Sequence, residues 1–526
     1  MPERRPNVLI VMYDQMVPTA LGCYGNPVAR TPRMDALAAG GVVFDAAYTN
    51  SPLCAPARSC MMTGRMPSQT GGYDNASYLP STIPTVAHYL RASGYRTMLT
   101  GKMHFVGPDQ LHGFEERRTT DIYPADFGWT PDWSNPRERI EWWMHNMSSV
   151  TESGFAETTN QLLYDDEVGY RAVRGLHDIA REDDGRPFFA IASFTHPHDP
   201  YVARKKYWDL YDGVDIPMPA VCAADTDPDD PHAARLARIC DWEGADIPDE
   251  DVRRARRAYL ANCSYVDEWT GRLVDTLQAL GLAEDTVVML MSDHGDMLGE
   301  RGHWYKMSFY EGSARVPWVI HAPGRLRPAR IAEPVSLVDF LPTVLELTGS
   351  GAGEPADQLA GSSVLPLCRP AAGVDGAAGA GTEAAAPRTV YGEYLGEGPV
   401  APMVMIRRGA WKFVHTPSDP DLLHDLAADP GELVNLAGAP EHAALLAELR
   451  SEVARRWDLA ALESEVLADQ AERRLLTKAL RSGRFTPWDY SPPCDGTQQY
   501  MRNHLDLNDV ERLARWPRTG AAEGDA

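Results

Sequence analysis

The run Val8-Leu9-Ile10-Val11-Met12-Tyr13, closed by Asp14, decides the fold class. Six consecutive apolar or aromatic residues with no polar alternate describe a strand covered on both faces, as in a parallel sheet between layers of helices. The pattern recurs. Thr97-Met98-Leu99 leads into Lys102 and His104, and Phe188-Phe189-Ala190-Ile191-Ala192-Ser193-Phe194 into His196 and His198. Val287-Val288-Met289-Leu290-Met291 leads into Asp293-His294. Helical patterns separate these runs, which is the alternation of βαβ units. The predicted class is α/β, with a large, mainly parallel central sheet flanked by helices. Each strand ends by delivering ionisable or metal-ligating side chains, and open α/β sheets bind ligands outside the carboxyl ends of their strands. Four distant segments are therefore predicted to meet at one sheet edge.

The chain has 526 residues, well above the ~250–300 at which a single hydrophobic core stops growing. One large domain plus a smaller one, or one elaborated α/β unit, is expected. Lys plus Arg total 50 against 74 Asp plus Glu, a net charge of −24. That balance argues against nucleic acid or an anionic membrane as partner. An anionic small molecule would then need a local cluster of positive groups. No apolar run approaches the ~20 residues of a membrane span. Met1 to Pro6 lead directly into the first strand without the apolar segment and cleavage site of a secretion signal. The eight cysteines, at 23, 54, 60, 222, 240, 263, 368 and 494, include no Cys-x-x-Cys. Neither a disulfide framework nor a zinc site is expected. The predicted compartment is the reducing cytoplasm, where the sequons at Asn75, Asn146 and Asn262 carry no glycan.

Leu53-Cys54-Ala55-Pro56-Ala57-Arg58 continues as Ser59-Cys60-Met61-Met62-Thr63-Gly64-Arg65. This pattern resembles the signature of the type I, formylglycine-dependent sulfatases of the alkaline phosphatase-like superfamily. In that family the cysteine is oxidised after translation to Cα-formylglycine. The resemblance implies an alkaline phosphatase-like sandwich with a smaller C-terminal α+β subdomain on an antiparallel sheet. It also implies a maturation machinery that converts Cys54. A formylglycine hydrate carries two hydroxyls on one carbon, one to attack sulfur and one to collapse to the aldehyde and expel sulfate; serine or cysteine offers only one nucleophilic atom. Pro56 suits the first turn of a helix, whose positive end would face the sulfate. Arg58 would hold the formylglycine hydroxyl and offset developing charge. Ala57 stands where serine is usual, but the defining Cys and Arg are present, and conversion is expected.

By the same resemblance, Asp14, the hydroxyl at position 54, Asp293 and His294 form a site for one divalent metal. Hard oxygen donors favour Ca2+, with Mg2+ and Mn2+ as alternatives, and the imidazole shifts the odds toward Mn2+. Gln15 stands where a second Asp is often found, and His294 where Asn is often found. Lys102 and Lys306 would bind sulfate oxygens, Lys306 or His198 would protonate the leaving oxygen, and His104 would orient or deprotonate the second hydroxyl. His198 is preferred to His196, which is read as a supporting histidine.

Further stretches resemble the choline-sulfatase subgroup: Gly71-Gly72-Tyr73-Asp74-Asn75, residues 101–115, residues 120–129, and in the tail residues 486–490 and 500–504. A small sulfate ester with a quaternary ammonium tail is the implied substrate, choline-O-sulfate foremost. Such a cation favours aromatic faces and a carboxylate; Trp129, with Asn75, His145 and a tail acid such as Asp495, would provide them. A phosphonate monoester or phosphodiester hydrolase and an arylsulfatase of the same superfamily are the enzymatic alternatives, and a non-catalytic binder of sulfated molecules the alternative of another class.

Along the chain, residues 1–368 are assigned to the catalytic domain and the Gly/Ala-rich stretch 369–387 to a linker or insertion. Residues 388–470 are assigned to the C-terminal subdomain, with strands predicted at 389–395 and 404–415 and a helix over 440–457. The tail, 471–526, is rich in Arg, Tyr, Trp and Pro. It is expected to pack on a neighbouring subunit in a dimer or tetramer, with Asp495 reaching another protomer's site.

Overall fold

The computed structural model describes residues 5–182, 184–227, 230–245, 247–350, 359–368, 387–498, 500 and 505–515. The Gly/Ala-rich stretch, except Pro387, and the motif at 501–504 lie outside the described residues. Eight strands form the central sheet, in the order Ala329–Ile331, Val42–Phe44, Trp318–His321, Thr286–Ser292, Asn7–Asp14, Phe188–Pro197, Arg96–Gly101 and Glu116–Arg117. Only Trp318–His321 runs against its neighbours; the other pairings are parallel.

Asn7–Asp14 lies at the centre and is buried at every residue. Leu9 pairs with Ala190 on one side and Val288 on the other. Side chains alternate across a strand, so this apolar run feeds two cores. Leu9, Val11 and Tyr13 pack into one with the helices Asn160–Glu182 and Asp249–Ala279. Val8, Ile10 and Met12 pack into the other with Cys54–Thr63, Val86–Ala92 and Phe340–Thr348.

A second sheet of four antiparallel strands, Thr389–Tyr394, Met403–Arg408, Trp411–His415 and Leu422–Asp425, carries the helix Ala443–Arg456 on one face. The single strand predicted over 404–415 is a hairpin, because Gly409 takes φ 57° and turns the chain. The two sheets are sewn together. Glu393 N donates to Asn50 O at 2.8 Å, and buried Lys412 pairs with both Glu311 and Glu432.

The next helix, Leu459–Leu480, starts at Asp458, whose side chain caps Ala461 N, and passes unbroken through the boundary drawn at residue 470. Beyond it the described tail lies on its own chain. Asp489 accepts from Ala125 N at 3.0 Å, Trp488 meets Phe127 edge-on at 5.1 Å, and the Tyr490 ring faces Arg117. Among the described residues, no helix is long and apolar enough to cross a membrane.

Candidate active site

The strand ends converge as their sequence pattern requires. Asp14 ends the central strand, Asp293 and His294 follow its neighbour Thr286–Ser292, Lys102 follows Arg96–Gly101, and His198 follows Phe188–Pro197. Asp14, Cys54, Asp293 and His294 each offer one ligand atom within 4.8 Å of the others, and all four are buried. Cys54 Sγ lies 3.2 Å from His294 Nε2 and 3.6 Å from Asp14 Oδ1. His294 Nδ1 donates to the Gly295 carbonyl at 3.0 Å, which leaves Nε2 unprotonated and facing the other donors. Two carboxylates, one imidazole and the side-chain position of residue 54 suit a single divalent cation.

The helix Cys54–Thr63 sets the nucleophile position. Leu53 makes no side-chain cap, so the first amides of this helix are left for other acceptors. Ala55 N donates to Asn75 Oδ1 at 3.0 Å; that oxygen of Asn75 therefore serves the helix, while the residue also lines the pocket. Burial pushes the Cys54 thiol up to about 12, so the protein matrix keeps an unconverted Cys54 a neutral thiol. Arg58, one turn on, is fully buried. Its Nε donates to Asp293 Oδ2 at 2.8 Å and its Nη1 to the Lys102 carbonyl at 2.6 Å and Ser193 Oγ at 2.9 Å.

Lys102 and Lys306 bring positive charge to the same point. Lys102 Nζ pairs with Asp14 and sits 4.1 Å from the centroid of the Tyr123 ring; burial lowers its pKa to about 7. Lys306 Nζ donates to Gln15 Oε1 at 2.6 Å and lies 2.9 Å from His198 Nε2. His198 Nδ1 donates to the Asp199 carbonyl at 2.6 Å, so its Nε2 is the acceptor for Lys306. Neither ring nitrogen of His104 has a hydrogen-bond partner, and burial lowers its pKa to about 3, which makes it a neutral base. Gln15, His104, Tyr305 and Met307 all adopt positive φ, at 64°, 57°, 66° and 72°. Non-glycine residues hold that conformation at a cost of order 1 kcal/mol where their surroundings impose it, and here each flanks or supplies a site side chain.

From Cys54 the site opens into a cavity of about 350 Å3. Asn75, Trp129, His145, His198 and Lys306 line it. Aromatic rings run outward from Lys102: Tyr123 lies 4.9 Å from Trp129, and Trp143 stacks on Trp129 at 6.2 Å. His145 stacks on Tyr305 at 4.2 Å and donates from Nδ1 to Asp199 Oδ2 at 3.2 Å. His196 is elsewhere, held by Asp165 at 2.6 Å in the core. Asp495 is exposed, accepts from Thr497, and is not among the residues lining this cavity.

The sequence reading missed Glu397, Asp199 and Tyr123 as pocket residues. Asp199 directly follows His198, and Tyr123 sits inside the stretch 120–129. Glu397 follows a C-terminal strand, and no local pattern marks it. Glu397 is buried, its Oε2 has no partner, and burial pushes its carboxyl up to about 7.

Known proteins resemble this chain over most of its length. The Sulfatase family model matches residues 6–350, and the model described as choline sulfatase enzyme C terminal matches residues 464–516. The C-terminal model of N-sulphoglucosamine sulphohydrolase matches residues 299–458. A choline-sulfatase of Rhizobium meliloti (strain 1021) is 48% identical over 520 residues, covering 98% of this chain and 99% of its own. The phosphonate monoester hydrolase of Agrobacterium radiobacter superposes with a TM-score of 0.66 at 24% identity, over 87% of this chain and 96% of its own. A protein solved with its substrate D-glucosamine-2-N,6-O-disulfate superposes with a TM-score of 0.65 at 23% identity, over 89% and 99%. At these identities the two structures establish the shared fold alone.

Proposed function

The chain belongs to the sulfatase family, and from that membership we propose that it hydrolyses choline-O-sulfate to choline and sulfate. One observation carries the choice of ester: the cavity has two chemically opposite ends. At one, Arg58, Lys102 and Lys306 surround the Cys54 position. At the other stand Trp129, Trp142 and Trp143 with the carboxylate of Glu141, while Tyr123, Asp199 and Glu397 also approach the positive groups. A sulfate bearing a quaternary ammonium tail satisfies both ends, because the cation takes aromatic faces and carboxylates rather than hydrogen-bond donors.

The chain's own groups divide the work. Arg58 and Lys102 neutralise charge on the sulfate and on the carboxylates beneath it. His104, neutral and unpartnered, takes a proton from the nucleophile side. Lys306, oriented by Gln15 and by the acceptor nitrogen of His198, gives a proton to the leaving oxygen. Formylglycine formed from Cys54 by a maturation machinery supplies a hydrated aldehyde, whose two hydroxyls allow attack and release. Asp14, Asp293 and His294, with residue 54, would hold one divalent cation, Ca2+ in our reading, which lends positive charge to the bound sulfate. We place the protein in the cytoplasm, as Cys23, Cys54, Cys60, Cys222, Cys240 and Cys263 form no disulfide. We also assign it to a homo-oligomer, dimer or tetramer, joined through the C-terminal tail, where Phe485, Leu507 and Leu513 are exposed.

Release of sulfate from choline-O-sulfate and p-nitrophenyl sulfate, and of the phenol from a p-nitrophenyl phosphonate monoester, tests the assignment. Choline-O-sulfate should be preferred, and Trp129→Ala should raise its KM about 10- to 30-fold while changing that for p-nitrophenyl sulfate far less. A wild-type preference for the phosphonate, or equal effects on both sulfates, removes the ammonium pocket.

Glu397 adds a pH test. Asp74 and Lys306 face it, and the nearby Cys54 and Cys240 thiols and Tyr394 phenol are raised by burial and stay neutral. With its pKa raised to about 7, Glu397 is protonated below that pH and charged above it. Lys102, lowered to about 7, loses its charge over the same range and affects both esters alike, so it is the KM of choline-O-sulfate relative to that of p-nitrophenyl sulfate that should fall about tenfold between roughly pH 6 and pH 8. Glu397→Gln should flatten that ratio; an unchanged slope in that variant excludes the carboxylate as the source.

A further inference from the structure

Three walls of the cavity hang on one turn of the C-terminal helix Leu459–Leu480. Arg473, buried, grips Asp74 with both prongs of its guanidinium, Nη1 to Oδ1 and Nη2 to Oδ2, each at 2.7 Å. Asp74 Oδ1 also accepts from Ala76 N and Ser77 Oγ, which fixes the turn carrying Asn75. Arg473 Nη1 donates in addition to Thr130 Oγ1 at 3.1 Å, beside Trp129, and Thr130 Oγ1 donates to the Phe127 carbonyl at 2.7 Å. Arg473 Nε is held by Asp469 at 2.8 Å. Gln470, three residues earlier and on the same face, accepts from Trp133 N at 2.9 Å. Trp133 Nε1 in turn donates to the Gly396 carbonyl at 2.8 Å, next to Glu397.

Neither Arg473 nor Gln470 lines the cavity, so neither touches substrate. The sulfate end has other supports: Asp14, Lys102, His198 and Asp293 hang on the ends of central strands. The two ends thus have mostly different supports, and they meet at Asn75, whose Oδ1 also accepts from Ala55 N.

We propose that Arg473, with Gln470, is a positioning residue that fixes the leaving-group side of the cavity, and so sets selectivity among sulfate esters without taking part in sulfate binding. This rests on the reading that Asn75, Trp129 and Glu397 face the choline moiety. It gives the C-terminal extension a role inside its own protomer, separate from any contact between subunits. The planar fork is what the arrangement uses: a lysine keeps the charge but cannot bridge both Asp74 oxygens and Thr130 in fixed geometry.

The experiment compares wild type, Arg473→Lys and the double variant Asp74→Asn/Arg473→Gln. The double variant avoids leaving a buried Asp74 carboxylate unpaired, a change that can unfold the chain. KM and kcat are measured for choline-O-sulfate and p-nitrophenyl sulfate, together with inhibition by inorganic sulfate. Arg473→Lys should raise KM for choline-O-sulfate about tenfold, with kcat within about threefold and sulfate inhibition unchanged. The double variant should shift the same KM in the same direction. Wild-type KM in both variants overturns the proposal, as does a matched loss of choline-O-sulfate and inorganic sulfate affinity. If wild type does not hydrolyse choline-O-sulfate, the substrate assignment falls. Arg473 is then judged on the preferred ester by the same split, and an unmoved KM there overturns its role.

Discussion

Cys54→Ala should lower kcat for every sulfate ester by about 10⁴-fold while leaving the protein folded. Residue 54 occupies the first turn of a buried helix, where alanine is the best helix former. Losing one sulfur atom from a buried site creates only a small void, and a shift of a few degrees in Tm is expected. The expected result is therefore an inactive enzyme with a near-native melting curve. Cys54→Ser is more informative. A serine hydroxyl can attack sulfur and displace the alcohol, but it has no second hydroxyl on the same carbon with which to expel sulfate. One equivalent of choline should appear, and turnover should then stop. Steady turnover by either variant within tenfold of wild type removes residue 54 from the reaction.

Lys306→Ala should separate esters by their leaving groups. Choline leaves as an alkoxide and needs a proton in the transition state, whereas p-nitrophenolate leaves readily without one. A loss of kcat/KM of about 10³-fold for choline-O-sulfate against about tenfold for p-nitrophenyl sulfate is expected. Of the two proposed acids, the hydrogen bonds support Lys306. His198 gives its Nδ1 proton to the Asp199 carbonyl and presents an acceptor Nε2 to Lys306, so the lysine is the group that carries the spare proton. If His198→Asn shows the strong leaving-group dependence and Lys306→Ala does not, the acid is the histidine.

The central strands were legible because burial on both faces leaves no room for polar alternation, as Asn7–Asp14 and Thr286–Ser292 show. Their ends were legible because ionisable residues directly follow apolar runs, so position brought out Asp14, Lys102, Asp293 and His294, while it offered His196 and His198 together and the family resemblance chose between them. Glu397 was not legible, since it enters from a loop after Tyr394 with no periodic pattern around it. Asn75 was named, but the engagement of its Oδ1 with Ala55 N depends on how a loop folds over a helix start. The tail was read from its composition as poorly suited to fold alone and was assigned to a contact with a neighbouring subunit. In the structure Trp488, Asp489 and Tyr490 bind the surface near residues 117–127, a long-range docking that local sequence does not encode. The boundary at residue 470 missed because it followed a composition shift, whereas the helix is continued by Gln470 and Arg473, both anchored to loops over 330 residues away.

The burial of Cys54 also sets a clock. In the finished molecule its side chain is 1% exposed, at the bottom of the cavity and against His294, which is 240 positions later in the chain. A protein catalyst has no access to a side chain at that depth, so the formylglycine proposed above requires oxidation while the segment is still unpacked. On a ribosome adding about 5–20 residues each second, His294 emerges roughly 10–50 s after Cys54. Slowing translation between those two positions should raise the converted fraction of the protein, and in vitro refolding of unconverted chains should close that window for good.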